Sequence, residues 1–332
     1  MKESALREAF QGKRAVIAGG LGFIGSNLAR RLAGLGAQVL AVDALLPEQG
    51  GNRFNLADAA GDRLAVEILD LRNESLERLV EGRDFLFNLA GQQSHQGSMD
   101  APLDDFDLNC RVALSLLEAC RSKAPGIAVV YTSTRQVYGK PRSLPVNESH
   151  PLAPVDVNGI HKLAGENYHL LYHRLHGLKT AVLRLTNTYG PRMRVKDARQ
   201  TFIGVWLRNL VEGKPFEVWD GAQLRDFTYV DDAVEALLLA ACLPTAQGET
   251  FNLGGDGAIS LKDLADRLVA VHGGGTYALK QFPPARKRID IGDYQADDRR
   301  FRDASGWTPR VPLAEGLKRA LDYYRANLAH YL

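Results

Sequence analysis

The chain has 332 residues, of which 45% are hydrophobic and 24% are charged, and its formal net charge is +2. These values are typical of a globular protein with one large α/β domain or two closely joined ones. A nearly neutral chain has no general attraction to nucleic acid or to an anionic membrane, so any cationic site must be local. The sequence also lacks an apolar run of about 18 residues, the length that a membrane-spanning helix needs.

The N-terminal segment and the cysteines indicate the cellular compartment. Residues 1–8 are charged and have a helical pattern, without the apolar stretch of a signal peptide. The three cysteines, Cys110, Cys120 and Cys242, are odd in number and lack metal-ligand spacing. We therefore expect buried, reduced thiols, a cytoplasmic location and no metal site.

Strand-like and helix-like patterns alternate through the first half of the chain. Short apolar runs predict strands at 15–18, 39–42, 65–69, 85–89, 128–132 and 180–185. Helical periodicity predicts helices near 25–36, 74–81, 103–123 and 157–176. This alternation predicts a Rossmann-type α/β fold, in which helices cover both faces of a doubly wound parallel sheet.

After about residue 186 the pattern loosens into loops punctuated by Pro and Gly. Helical patterns recur near 201–212, 231–243, 260–272 and 312–328. We expect a Rossmann domain made of residues 1–185 together with about 225–253. Residues 186–224 and 254–332 would then form a smaller C-terminal lobe.

A glycine-rich turn after the first predicted strand indicates a phosphate-binding loop. Residues 16–25 read V-I-A-G-G-L-G-F-I-G, and a helical pattern follows directly. Gly19 permits a tight turn, Gly22 lets the backbone approach a pyrophosphate, and Gly25 lets the helix and strand pack closely. The helix N-terminus then presents free N–H groups and a positive dipole end to the phosphates.

The second predicted strand supplies the context that a glycine pattern needs. It ends in Asp43, which lies 18 residues after Gly25. An acid at this position bonds the ribose 2′-hydroxyl of an adenosine and repels a 2′-phosphate. The sequence therefore predicts a dinucleotide site that prefers NAD to NADP. The alternative interpretation is an ordinary strand-turn-helix unit with a surface Asp.

The helix predicted at 157–176 carries an apolar stripe. Tyr168, Leu171, Tyr172 and Leu175 recur in it at helical spacing. Together with the apolar face of residues 106–120, this stripe predicts a homodimer sealed by paired helices. Packing within one chain explains the same stripe about as well.

Five later segments carry a resemblance to a known family. They read D-L-R at 70–72, N-L-A-G-Q at 88–92, T-S-T-R-Q-V-Y-G at 132–139, L-T-N-T-Y-G-P at 185–191 and D-G-A-Q-L-R-D-F-T-Y-V-D-D at 220–232. With these segments and the glycine loop, the chain resembles the extended short-chain dehydrogenase/reductase family, in its nucleotide-sugar epimerase and dehydratase branch. The resemblance implies bound NAD, a nucleoside-diphosphate sugar as substrate, and a substrate-binding role for the smaller lobe.

The resemblance also implies contacts residue by residue. The implied cofactor contacts are Gly19, Gly22, Phe23, Ile24, Gly25, Asp43, Asp70, Leu71, Leu89, Ala90, Gly91 and Lys162. The implied substrate contacts are Gln92, Ser94, His95, Arg135, Asn187, Arg192, Arg225, Lys287 and Arg288. Arg225 is expected to hold the diphosphate, because a guanidinium binds oxyanions with fixed geometry. Further cations at Arg192, Arg194, Lys196 and Arg199 suggest a local anion site.

The predicted catalytic helix departs from the family pattern. The family has a Tyr, and a Lys four residues later, in a segment resembling P-Y-x-x-S-K. Here residues 155–162 read V-D-V-N-G-I-H-K, so Lys162 is present and Asn158 stands at the position of the Tyr. A Tyr beside the Lys takes a hydroxyl proton as hydride leaves the sugar carbon. Asn has no titratable proton and cannot take that role.

The sequence offers three replacements for the Tyr. His161 shares a helix face with Asn158, and an imidazole can accept a proton near neutral pH. His95 lies in a loop that approaches the sugar in the family that the chain resembles. Thr134, the implied contact of the reacting sugar oxygen, could also act directly with water. The candidate catalytic residues are therefore Thr134, Asn158, His161 and Lys162, with His95 as a further candidate base.

A second departure narrows the reaction. In the 4,6-dehydratases of this family an Asp-Glu pair follows the Thr, whereas Arg135 and Gln136 follow Thr134 here. Arg cannot act as the acid or base under ordinary conditions, so elimination of water is disfavoured. The Arg135 cation could instead hold a carboxylate or another anionic substituent of the sugar, or could face the nucleotide or solvent.

These features favour a 4-epimerase that oxidises its sugar transiently at C4 through NAD, with a 4-keto intermediate. A decarboxylase or a modified dehydratase that shares this intermediate is one alternative. A sugar-nucleotide or NAD-binding protein without catalysis is another, because Asn158 removes the expected proton acceptor.

Overall fold

The computed structural model describes residues 3–73, 75–199 and 201–332. The first two residues of the charged N-terminal segment and the first residue of the helix predicted at 74–81 lie outside these ranges. In the described ranges, no helix combines the length and the apolar character that crossing a bilayer requires.

The described residues form twelve strands, five in the first half of the chain and seven in the second. They are β1 (Arg14–Ala18), β2 (Gln38–Asp43), β3 (Leu64–Ile68), β4 (Phe85–Asn88), β5 (Ala128–Thr134), β6 (Lys179–Leu185), β7 (Asn187–Tyr189), β8 (Phe216–Trp219), β9 (Leu224–Tyr229), β10 (Glu249–Leu253), β11 (Ala258–Ser260) and β12 (Tyr277–Lys280). Seven of them form one parallel sheet in the order β10-β6-β5-β4-β1-β2-β3.

Helices connect and cover the strands. They are α1 (Glu3–Phe10), α2 (Phe23–Gly34), α3 (Glu77–Val80), α4 (His95–Asp100), α5 (Pro102–Phe106), α6 (Val112–Lys123), α7 (Val157–His176), α8 (Phe202–Val211), α9 (Val230–Cys242), α10 (Leu261–His272), α11 (Pro284–Lys287), α12 (Arg299–Ser305) and α13 (Leu313–Asn327). A wide π-type turn, Asp107–Arg111, joins α5 to α6.

Both faces of the central sheet are covered, which is why its strands are apolar without alternation. On one face, Ile17 of β1 belongs to a core that includes Leu28 of α2 and Leu237 of α9. On the other face, Val16 packs in a core with α3, α6 and Tyr172 of α7. The predicted Rossmann-type α/β fold is confirmed.

The smaller lobe is built around two short sheets. One has the strand order β11-β9-β7, and β12 pairs with β8 in the other. Within residues 225–253, α9 and β10 return to the central sheet, whereas β9 pairs with β7 and β11. The polypeptide therefore crosses between the Rossmann domain and the smaller lobe more than once.

Two predicted helices differ from the structure. The helix predicted at 103–123 is divided into α5, the π-type turn and α6. In the described part of the helix predicted at 74–81, only α3, Glu77–Val80, is helical. By contrast, α7 spans Val157–His176, as predicted, because Asp156 caps its first turn and Gly177 ends it in the left-handed conformation.

The parallel order places several strand ends at one edge of the sheet. β2 and β4 lie on opposite sides of β1, so the connections after β1 and β4 leave on opposite sides. A crevice forms at such a switch point, outside the carboxyl ends of the strands. The candidate site lies at this edge.

Candidate functional site

The loop after β1 can be made only with glycine at its key positions. Gly19 has φ +81, and a Cβ there would lie 2.8 Å from the Leu89 carbonyl oxygen. A Cβ on Gly25 would lie 2.1 Å from the Gly19 carbonyl oxygen. Without side chains at these positions, the start of α2 can pack directly onto the end of β1. The helix N-terminus therefore opens onto the crevice.

A cleft of about 840 Å³ extends from this loop along the ends of β2 and β4. Most of the predicted cofactor contacts line it: Gly19, Gly22, Phe23, Asp43, Asp70, Leu71, Leu89, Ala90 and Gly91. Ile24 and Gly25 lie behind the lining, in the first turn of α2. The glycine turn leaves the space and the free amides that a pyrophosphate needs, so these residues fit a dinucleotide.

Asp43 is fixed at the end of β2. Its Oδ2 accepts a hydrogen bond of 3.1 Å from the Leu21 amide, and its Oδ1 accepts one of 2.9 Å from the Leu45 amide. Burial raises the pKa of this carboxyl above its ordinary value, and the backbone hydrogen bonds oppose that rise. The carboxylate is therefore held in the wall of the cleft, where a ribose hydroxyl can reach it.

Segments from both halves of the chain meet over the cleft. Arg194 Nη1 donates to the Gln49 carbonyl oxygen at 2.7 Å, and Arg199 forms an ion pair with Glu48. All four residues line the cleft. We call this contact between residues 47–49 and 194–199 the clasp.

The other predicted cation of this region has a different place. Arg192 Nη1 donates to Asn27 Oδ1 at 2.8 Å, and its guanidinium lies 5.4 Å from the Tyr323 ring. Arg192 is not among the residues that line the cleft. Its role as a substrate contact stays a prediction.

Lys162 connects the cleft to the end of β5. Its Nζ donates to the Thr132 carbonyl oxygen at 3.1 Å and lies 5.0 Å from the Tyr131 ring. A Cβ on Gly91 would lie 3.2 Å from Nζ, so the ammonium is next to the cleft wall. Burial lowers the pKa of Lys162 to about 8.

Asn158 is held by its amide group. Its side chain is buried, and Nδ2 donates to the Gln92 carbonyl oxygen at 2.8 Å and to Asp105 Oδ2 at 3.1 Å. The Asn158 backbone amide also donates to Ser98 Oγ. This side chain is therefore a structural link between α7, α5 and the loop after β4.

Two His–Asp pairs flank Asn158. Nδ1 of His161 lies 2.6 Å from Oδ1 of Asp105, which is fully buried. Nδ1 of His95 lies 2.9 Å from Oδ2 of Asp156, also fully buried. The Asp105 carboxylate is hydrogen-bonded to Nδ1 of His161 and so orients that imidazole. The buried Nδ1 of His95 lies close to Asp156 but has no well-formed hydrogen bond to any described residue.

The surroundings of the two imidazoles differ. His161 packs edge-on against Phe106 of α5, whose ring is 44% exposed on the outer surface. His95 follows Ser94, which lines the cleft and caps α4 by accepting from the Gly97 amide at 3.0 Å. Its partner Asp156 accepts from Gln136 Nε2 at 3.2 Å, two residues after Thr134. His95 is thus the sequence neighbour of a cleft residue, although neither imidazole is itself among the described residues that line the cleft.

Thr134 and Arg135 follow each other at the end of β5. Thr134 Oγ1 accepts from the Gln136 amide at 3.3 Å, which leaves its hydroxyl proton free to be donated. The Arg135 guanidinium lies 5.9 Å from the centre of the Tyr294 ring. Both residues are half-buried.

The remaining predicted substrate contacts belong to the smaller lobe. Arg225 is buried and donates to Asp290 Oδ1 at 2.7 Å and to the Gly292 carbonyl oxygen. Asn187 Nδ2 donates to the Asp226 carbonyl oxygen at 3.0 Å. Lys287 forms an ion pair with Asp220 at the surface, and Arg288 is exposed.

Two carboxylates of the site were not predicted from the sequence. Asp156 directly precedes the predicted helix, where an Asp commonly caps the first turn, so its position carried a signal. Asp105 lies in an unremarkable acidic pair, and only the packing of α5 on α7 brings it to Asn158 and His161.

Comparison with known proteins agrees with this geometry. Residues 15–254 match the NAD dependent epimerase/dehydratase family. A UDP-glucose 4-epimerase from Mycolicibacterium smegmatis is 30% identical over 94% of this chain and 98% of that protein. A dTDP-glucose 4,6-dehydratase from Streptomyces niveus is 30% identical over 95% of this chain and 94% of that protein.

Solved structures give the same result. The UDP-glucose 4-epimerase from Thermotoga maritima with UDP-glucose has a TM-score of 0.85 at 29% identity, with 95% of this chain and 99% of that chain covered. The UDP-glucuronic acid 4-epimerase from Bacillus cereus, in complex with UDP-glucuronic acid and NAD, has a TM-score of 0.83 at 26% identity, covering 94% and 99%. Because these matches extend over nearly the whole chain, the protein belongs to the NAD-dependent epimerase/dehydratase family of extended short-chain dehydrogenases/reductases, and NAD is its cofactor.

Proposed function

We propose that the protein is an NAD-dependent 4-epimerase of a nucleoside-diphosphate sugar. The observation that carries the proposal is the position of Lys162, whose ammonium lies between Gly91 in the cleft wall and the strand end that bears Thr134. A cation there can bind the nicotinamide ribose and favour the loss of a sugar hydroxyl proton. The relatives named as 4-epimerases support the same reaction.

Several residues of this chain have separate roles in the proposed reaction. When bound, NAD accepts hydride from C4 of the sugar and returns it, to either face, at the 4-keto stage. Thr134 donates a hydrogen bond to the C4 oxygen, and Arg225 binds the diphosphate. Lys162 adds positive charge beside the reacting centre. Asn158 acts as the structural link between α7 and its neighbours.

The proton acceptor in this proposal is His95, with Asp156 as its positioning residue. Asp156 is fully buried, and its Oδ2 lies 2.9 Å from Nδ1 of His95. In the proposal this carboxylate favours a proton on Nδ1, and Nε2 is the base. Proximity to the cleft through Ser94, and to the end of β5 through Gln136, supports this choice over His161. In the proposed reaction His95 takes the C4 hydroxyl proton as hydride leaves, and returns it after hydride has come back.

A direct assay tests the function. NAD-loaded protein is incubated with UDP-glucose, UDP-N-acetylglucosamine and UDP-glucuronate deuterated at C4, and the products are analysed by NMR and mass spectrometry. We expect C4 epimers that keep the deuterium. The absence of turnover, isotope exchange and cofactor reduction across the panel would contradict the proposal.

The same assay separates the rival reactions. Arg135 beside the predicted sugar site favours a decarboxylase as the second candidate, because it could hold a uronic acid carboxylate. Carbon dioxide release would assign that reaction, and a product lighter by one water would assign a dehydratase. Asn158→Tyr distinguishes an inactive homologue, in which it would create activity, from an active enzyme, in which crowding of Asp105 and Gln92 would reduce it.

We also propose that the protein is a homodimer in the cytoplasm. Exposed apolar side chains gather on α4, α5 and α7, which pack together: they are Met99, Leu103, Phe106, Ile160, Leu171 and Leu175. Tyr172 of the predicted stripe is instead buried in the chain's own core. A second copy would cover this apolar face. Three free thiols, Cys110, Cys120 and Cys242, support a reducing compartment.

A further inference from the structure

We propose that the sugar of the substrate carries a carboxylate and that Arg135 binds it. The inference rests on the proposed function, and it names a feature of the substrate that the proposed reaction leaves open. Three observations carry it: the isolation of the guanidinium from anionic partners, a second unsatisfied donor beside it, and its place in the site.

Arg135 differs from the buried arginines around it. Arg184 is paired with Glu166 at 2.6 Å, and Arg225 is paired with Asp290 at 2.7 Å. Throughout the described ranges, by contrast, no residue hydrogen-bonds to Arg135 or forms an ion pair with it, and its Nε is buried without an acceptor. The carboxylates of Asp226 and Asp290 act on Arg135 only through space, without a direct ion pair. A desolvated guanidinium without a direct partner is unfavourable, so its retention favours an anionic ligand.

Tyr294 presents a second donor at the same place. Its side chain is fully buried under the Arg135 guanidinium, and its hydroxyl has no hydrogen-bond partner in the described chain. The nearby carboxylate of Asp226 already accepts two backbone hydrogen bonds. Its Oδ1 accepts from the Gly255 amide at 2.7 Å, and its Oδ2 accepts from the Ala296 amide at 3.0 Å. A guanidinium and a phenol together match the two oxygens of a carboxylate.

Electrostatics points in the same direction. Burial, with a smaller contribution from Arg225, lowers the pKa of Arg135 to about 10, and Tyr294, Asp290 and Asp226 oppose this shift. Two cations therefore share this region, and only Arg225 has a carboxylate partner in ion-pair contact. A bound anion would offset the repulsion between the two guanidinium groups.

The place of Arg135 separates a sugar carboxylate from the diphosphate. Arg135 directly follows Thr134, which is proposed to bind the C4 oxygen, whereas Arg225 is proposed to bind the diphosphate attached to C1. A cation beside Thr134 faces the ring substituents next to C4. The carboxylate would thus be C6 of a uronic acid or an acidic ether at C3, and both present the same chemistry to a guanidinium.

Calorimetry tests the inference without requiring turnover. NAD-loaded wild type and Arg135→Gln are titrated with UDP, UDP-glucose, UDP-glucuronate and UDP-N-acetylmuramate. We expect at least one carboxylate-bearing sugar to bind the wild type more tightly than UDP-glucose. Arg135→Gln should weaken that ligand about 10- to 100-fold, as expected for one charged hydrogen-bonded contact, and change UDP-glucose less than about threefold. UDP-glucuronate and UDP-N-acetylmuramate distinguish a C6 from a C3 carboxylate.

A second variant and a stability measurement test whether Arg135→Gln weakens binding through a change in the fold. Arg135→Lys keeps a charge without the guanidinium fork and should retain part of the selectivity. Unfolding of the ligand-free protein should show Arg135→Gln at least as stable as the wild type, because an unpaired buried charge is removed. Equal binding of UDP-glucose and both acidic sugars, or an equal loss for all ligands in Arg135→Gln, would overturn the carboxylate inference alone. Failure of all four ligands to bind the wild type would overturn the proposed function as well.

Discussion

At the scale of single residues, Asn158 stands where a proton acceptor is expected, and two imidazoles lie near it. His95 and His161 each face a fully buried carboxylate, and Asn158 between them donates its amide protons to fixed acceptors. A general base must lie within reach of the proton that it takes and must be correctly oriented. The two His–Asp pairs differ mainly in the side of α7 on which they lie.

Replacing the imidazoles one at a time decides between them. His95→Ala should lower kcat about 10²- to 10⁴-fold, the usual contribution of a general base, with little change in UDP-sugar binding. His161→Ala should lower kcat less than about tenfold. Asp156→Asn keeps a residue that caps α7 and removes the negative charge, so it should lower kcat and alter its pH profile while the protein stays folded. A larger loss in His161→Ala than in His95→Ala would contradict the assignment.

Lys162 makes stability depend on pH. Its ammonium is charged in the unfolded chain up to about pH 10.5, whereas burial lowers its folded pKa to about 8. Between these values the unfolded state binds more protons, so the contribution of Lys162 to the free energy of unfolding rises with pH. Relative to Lys162→Met, the wild type should gain about 2 kcal/mol between pH 7 and pH 9.5. Urea unfolding of both proteins at each pH measures the change, and a constant difference would contradict the buried, depressed pKa.

At the scale of elements, the glycine loop fixes how closely α2 approaches β1. The clash at Gly25 involves the backbone oxygen of Gly19, which cannot rotate away as a flexible side chain would. The position of α2 and the phosphate-binding amides thus depend on the same missing side chain.

Two Gly→Ala variants in α2 test this dependence. Gly25→Ala should destabilise the protein by about 2–3 kcal/mol and abolish NAD binding, because the turn must move. Gly34→Ala is the matched control, since nothing lies within 4 Å of its added Cβ. It should be neutral or stabilising by about 0.5 kcal/mol through helix propensity. Thermal unfolding measures the stability of both variants, and NAD titration measures their cofactor binding. Unchanged NAD binding in Gly25→Ala would contradict the phosphate-binding role of the glycine loop.

Elements were predictable where one local pattern determines them. Six of the seven strands of the central sheet follow from their apolar runs, whereas β10 was not predicted. The helix α7 follows from its period and its caps. The three-residue strands β7 and β11 carry no such pattern, because they form only when β9 lies between them. In the site, Lys162 and Thr134 were identifiable from motifs. The contact of Asp105 with Asn158 was not, because it depends on how α5 packs against α7.

At the scale of the whole molecule, the apolar face on α4, α5 and α7 remains uncovered within one chain. Leu103 of α5 is 79% exposed and Leu175 of α7 is 63% exposed. Exposed apolar side chains on helices that pack together often mark an interface.

Leu175→Asp tests the proposed dimer. Size-exclusion chromatography with light scattering should show a dimer for the wild type and a monomer for the variant, because a carboxylate would be desolvated in the interface. Leu279→Asp is the control, since Leu279 is 54% exposed on β12 of the smaller lobe. It should leave the dimer intact. A monomeric wild type, or a dimeric Leu175→Asp, would rule out this interface.

The clasp has a consequence for how the enzyme relates to metabolism. Glu48 and Gln49 come from the Rossmann domain, and Arg194 and Arg199 come from the segment after β7, so the two segments form a bridge at the cleft. A reaction that returns its hydride needs no exchange of cofactor between turnovers. With NAD retained behind the clasp, each turnover would regenerate the oxidised cofactor in place. The rate would then not depend on the ratio of oxidised to reduced dinucleotide in the cell.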